Sequence, residues 1–72
     1  MSRIEIHLKR RLQERNMTQK ELSDRTGVRQ ATISQISRGN VERLHLPALA
    51  KIADALGIED ITQLLTIERD DN

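Results

Sequence analysis

The sequence predicts an all-α fold, a bundle of five short helices with a helix-turn-helix at its centre. Three observations predict it. From Met17 to Gly39, two helix-length segments are hinged at Gly27, a residue that takes the left-handed conformation ending a helix at little cost. Leu49, Ile52, Ala53 and Leu56 recur at i, i+3, i+4 and i+7 and stop at Gly57, which is one apolar helical stripe. Ile4, Leu8 and Leu12 recur every four residues near the start of the chain.

Taken in order, the first helix is predicted from Ile4 to Arg15, with Lys9, Arg10 and Arg11 on its remaining faces. Asn16 ends it, because asparagine tolerates the left-handed conformation, and Met17 turns into the core. Thr18 caps the second helix, and Glu21 three residues later returns the bond as a capping box. Leu22 lies on its buried side, and Ser23 is small enough to admit a neighbouring helix. Val28, Ile33 and Ile36 supply the apolar positions beyond the turn, the two isoleucines on one helical face. Gln30, Ala31, Thr32, Ser34, Gln35 and Arg38 fall on the other face, which holds no acid. From Glu42 to Leu46 polar and apolar residues alternate, which suits an extended connector. Pro47 sits in the first turn of the fourth helix, which the Leu49 stripe continues. Asp60, with Gln63 three residues on, caps a short last helix carrying Ile61, Leu64 and Leu65. Residues 1–67 then form one domain, and Glu68 to Asn72 form an acidic tail expected to fray. There is no internal repeat and no low-complexity tract.

The totals exclude several classes of function. Seventy-two residues make one domain, whose core seldom supplies more than ~3–5 kcal/mol, so pairing with a second copy would help. With no Phe, Tyr or Trp, the core must be aliphatic, and base stacking on single strands is ruled out as a main mechanism. With no cysteine, disulfides, thiolate zinc sites and thiol catalysis are absent together. No apolar run approaches a membrane span, and the N-terminus has no signal-peptide core, so a soluble cytoplasmic protein without a membrane partner is expected. His7 and His45 lie far apart with no ligand-spaced acid beside them, and no metal or cofactor is expected. Ser23, Ser34 and Ser37 have no histidine nearby in sequence, and the three glycines all end helices rather than forming a phosphate loop. An enzyme is therefore not expected. Net charge is only +1, yet its distribution is uneven: residues 1–43 hold ten Lys and Arg against five acids, and residues 44–72 hold two against six. The half containing the hairpin would attract phosphate and the other half would repel it.

An amide side chain can hold adenine by two bonds at once, a hydroxyl or methyl can meet several base edges, and arginine neutralises phosphate. The outward face of the segment after Gly27 has this chemistry. It is equally the face that a plain solvated helical hairpin would show. The order Thr18-Gln19, Glu21-Leu22, Gly27-Val28, Ile33, Ile36 and Gly39 resembles the Cro and phage-repressor type of DNA-binding domain, the XRE family. Leu-Ala-Lys-Ile-Ala-Asp-Ala-Leu-Gly, from Leu49 to Gly57, resembles that family's fourth helix. The resemblance runs from about Leu8 to Leu65, leaving no room for a separate sensor or effector domain.

The resemblance implies a double-stranded DNA-binding transcriptional regulator, a repressor, with the second hairpin helix in the major groove. It implies that Gln30, Ala31 and Gln35 face bases and that Gln19, beside Thr18, braces the groove end through phosphate. Thr32 and Ser34 join the base-reading candidates through their hydroxyls. Arg10 and Arg11 are backbone candidates because the first helix packs beside the hairpin in that family, and Arg38 and Arg43 because they lie in the basic half. Arg29 departs from the family pattern, where Ser or Thr caps the reading helix. Arginine cannot accept that bond, so a cap is exchanged for a contact to phosphate or guanine. A symmetric homodimer is expected through Ile61, Leu64, Leu65 and Ile67. The alternative is an antitoxin or antirepressor that grips a protein partner through the Val41–Leu46 loop or the last helix.

Overall fold

The computed structural model of the chain describes residues 2–39 and 41–69. Four helices form its body: α1 (Leu8–Glu14), α2 (Gln19–Thr26), α3 (Gln30–Ser37) and α4 (Leu46–Leu56). A single 3-10 turn follows at Ile61–Gln63, and two strands, β1 (Ser2–Ile6) and β2 (Leu65–Arg69), join the two ends of the chain.

One side chain from each part of the body fills the centre. Leu8 of α1, Leu22 of α2, Ile33 of α3, Ile52 of α4 and Leu64 after the 3-10 turn are all under 2 % exposed. Leu12, Val28, Ile36, Leu49, Leu56 and Ile58 surround them, with Met17, Val41 and Leu44 packed at the margin. In a core this small, truncating one of the central residues to alanine removes ~2–5 kcal/mol, comparable to the whole stability of the domain.

The helix ends are fixed by local chemistry. Asn16 takes φ 50° after α1, and the Met17 amide returns to the Leu12 carbonyl at 3.0 Å. Thr18 and Glu21 form the capping box of α2: the Glu21 amide donates to Thr18 Oγ1 at 3.0 Å, and the Thr18 amide to Glu21 Oε1 at 3.2 Å. Pro47 occupies the first turn of α4. At the other end of α4 the Arg15 guanidinium donates to the Leu56 carbonyl at 3.1 Å, a cation placed at the negative end of the helix. Residues 41–45 form neither helix nor strand.

The architecture departs from an all-α bundle of five helices at both ends of the chain. Ile4 belongs to a strand rather than to the first helix, and it is 60 % exposed although its spacing matches Leu8 and Leu12. The reason is a second period. Arg3-Ile4-Glu5-Ile6 alternates as well, and its strand partner lies at the far end of the chain, pairing Arg3 with Glu68, Ile4 with Ile67, Glu5 with Thr66 and Ile6 with Leu65. The expected last helix is likewise one 3-10 turn. The Asp60 carboxylate does accept from the Thr62 amide at 2.9 Å, but Leu64 then enters the core and the chain runs extended. The β-branched Thr66 and Ile67 favour that outcome. Glu68 and Arg69, expected in a frayed tail, are residues of β2, and the rest of that tail lies outside the described residues. Among the described residues no helix is long and apolar enough to cross a membrane.

Candidate nucleic-acid interface

The hairpin of α2 and α3 is locked at its turn by hydroxyl groups. Gly27 takes φ 76° and donates to the Ser23 carbonyl at 2.8 Å. The Ser23 hydroxyl donates to the Val28 carbonyl at 2.6 Å, and the Thr26 hydroxyl to the Leu22 carbonyl at 2.7 Å. The Val28 amide in turn donates to Thr26 Oγ1 at 3.1 Å. A turn tied at four points sets the angle between the two helices, while buried Ile33 and Ile36 fix how α3 is rotated about its own axis. The outward face of α3 is therefore a preset surface.

That face carries Gln30, Ala31 and Gln35 in exposed positions, with Thr32 and Ser34 half-buried at its margins. None of the five makes a hydrogen bond through its side chain to another described residue, so their amides and hydroxyls are available to a ligand. Arg29 stands at the N-cap of α3 with φ −58° and ψ 138° and makes no side-chain cap bond. The helix therefore starts uncapped, with its guanidinium exposed. Arg38 is the C-cap of the same helix, and Arg43 is exposed in the following loop. Arg10 lines a groove with Lys9, Gln13 and Ser37, which places it beside the C-terminal end of α3. The guanidinium groups of Arg10, Arg29, Arg38 and Arg43 form no hydrogen bond or ion pair with other described residues. Gln19 opens α2 and is half-buried.

Two of the backbone candidates are already engaged. The Thr18 hydroxyl both donates to and accepts from Glu21 in the capping box. Arg11 donates to the Gln63 carbonyl at 2.8 Å and to both carboxylate oxygens of Glu14 at 2.9 Å, tying α1 to the 3-10 turn. These contacts are intramolecular. Among the interface candidates, Leu64 is 1 % exposed and belongs to the core of its own chain, so it is not available to a second copy. Ile61 and Ile67 are 53 % and 65 % exposed, and Leu65 is half-buried.

Sequence reasoning missed Ile4. The sheet places it directly opposite Ile67, and together with Ile61 and Leu65 they line one apolar depression at the surface. Its signal was the Arg3-Ile4-Glu5-Ile6 alternation, competing with the four-residue spacing to Leu8. The hydroxyl of Ser37, the last residue of α3, is buried with no hydrogen-bond partner among the described residues.

Neither a curated protein nor a solved structure gives a significant match to the chain. A family model does: the Cro/C1-type HTH DNA-binding domain matches residues 7–70, which takes in all four helices, the 3-10 turn and β2. With the turn at Gly27, the preset α3 and the α4 stripe all inside that match, the chain belongs to the Cro/C1-type helix-turn-helix DNA-binding domains.

Proposed function

We propose that the protein is a sequence-specific transcriptional regulator, acting as a repressor, that lays α3 in the major groove of double-stranded DNA. The observation that carries this reading is the outward face of α3. Gln30, Ala31 and Gln35 are exposed there without an acid among them, on a helix whose other side is pinned by Ile33 and Ile36. Gln30 and Gln35 offer paired donor and acceptor groups that suit adenine, and the Ala31 methyl suits thymine. Thr32 and Ser34 contribute hydroxyls at the edge of the contact. Arg10, Arg29, Arg38 and Arg43, with Gln19 at the start of α2, hold phosphates on either side. Repression needs no further surface, because a protein seated in the groove excludes others from the same site.

The functional form is a two-fold dimer. One short helix reads only a few base pairs, and a pair with half-sites about 34 Å apart doubles the contacts. Ile4, Ile61 and Ile67, all more than half exposed, with Leu65 between them, are the apolar surface we assign to the second copy. They replace Leu64 in that role.

Competition binding tests the reading. The purified protein is mixed with a labelled duplex selected by the protein itself, and random duplex is added in excess. Retention of the labelled complex against about a thousandfold excess is expected, within the usual margin of specific over non-specific binding. Loss of the complex at equal concentrations of random DNA would leave only a non-specific binder.

A further inference from the structure

We infer that the polar face of the β1–β2 sheet is a binding site for a divalent first-row transition-metal ion, held by Glu5, His7 and Glu68. Side chains alternate across a strand, so the register that puts Ile4 and Ile67 together on one face puts Arg3, Glu5, Thr66 and Glu68 together on the other. His7 follows β1 directly, and its amide donates to the Leu64 carbonyl at 2.8 Å, which fixes the backbone at that point. One imidazole nitrogen and one oxygen from each carboxylate all lie within 4.8 Å of one another, and all three residues are half-buried. Three donors so spaced can close on a single ion at the ~2.0–2.2 Å distances of nitrogen and oxygen ligands with small side-chain movements.

The Arg3 guanidinium lies 3.2 Å from Glu5 Oε1 on this face. Such an exposed pair is weak, so a divalent ion held by both carboxylates would displace it. Thr66 bridges the set: its hydroxyl lies 2.7 Å from His7 Nε2 and donates to Glu68 Oε1 at 3.2 Å, so two of the three donors are already held toward each other. An imidazole with two carboxylates suits zinc or manganese. Calcium takes six to eight oxygens, and magnesium keeps most of its water. Spacing along the chain could not show the site, because Glu68 joins His7 only through the pairing of the chain's two ends. The ion would clamp β1 to β2 from the side opposite the apolar face, and this inference does not depend on DNA binding.

Titration calorimetry with zinc chloride on the full chain, together with thermal unfolding with and without zinc, tests it. One ion per chain and a raised melting temperature, reversed by a chelator, are expected. Glu68→Gln, which keeps the side chain's size, and His7→Ala should each weaken zinc binding about tenfold or more, while His45→Ala should leave it unchanged. Should His7→Ala fail to fold, Glu5→Gln takes its place and should show the same loss. Absence of saturable binding by the folded parent overturns the site. So does parental affinity in Glu68→Gln and His7→Ala, or loss of binding in His45→Ala alone.

Discussion

At the scale of single residues, Gln30 and Gln35 are the test of base reading. Alanine at either position should cost ~1–3 kcal/mol on the preferred duplex and far less on random DNA, measured by titration of both. Equal losses on the two would show that the amides do not read bases. Among the described residues, Arg10, Arg29, Arg38 and Arg43 present unpaired guanidinium groups around α3, whereas Arg11 is engaged by Glu14 and Gln63. Neutralising one of the four should lower the slope of log affinity against log salt by about one. The same change at Arg11 should leave the slope unaltered and lower the melting temperature instead. Arg29 adds a stability test, because α3 begins without a side-chain cap. Arg29→Ser should stabilise the fold by about 0.5–2 kcal/mol while weakening DNA binding, read by denaturant unfolding and titration together.

At the scale of elements, the hairpin and α4 were legible because their signals are local. The capping box of Thr18 and Glu21, the left-handed Gly27 and the stripe from Leu49 to Leu56 all act within a few residues. Nothing lies within 4 Å of a methyl group added at Gly27, so the cost of Gly27→Ala is set by φ alone. A loss of roughly 1–2 kcal/mol is expected, and Gly27→Asn should lose less. The two strands were not legible. Ile4 fits a helical spacing and a strand alternation equally well, and what decides between them is Ile67 at the far end of the chain. The outward face of α3 could be read in the same local way. Its neighbours could not: the commitment of Arg11, the burial of Leu64 and the exposure of Ile4 all follow from how the ends of the chain meet. The 3-10 turn has its own signature in pH. Hydrogen bonds from the Thr62 hydroxyl and amide hold the Asp60 carboxyl below its ordinary value of 3.8. A carboxyl lowered on folding stabilises above its unfolded value and loses that contribution as pH falls through the folded one. Asp60→Ala should therefore lower the melting temperature slightly at pH 6 and reduce its fall below about pH 4.

At the scale of the whole molecule, the chain has two faces with different tasks. In the proposed regulator, the exposed face of α3 and its flanking arginines meet phosphate and base, and the apolar side of the sheet, carrying Ile4 and Ile67, meets a second copy. Ile67→Asp should abolish dimerisation without touching the core, since Ile67 is 65 % exposed. Sedimentation of the free protein and of its DNA complex measures that. The most direct test of the regulator as a whole is selection of bound duplexes from a random pool by the purified protein. A consensus of two inverted half-sites about one helical turn apart is expected, with adenine–thymine pairs where Gln30 and Gln35 reach the groove. A pool that stays random after repeated selection, or a consensus with a single unpaired half-site, would contradict it.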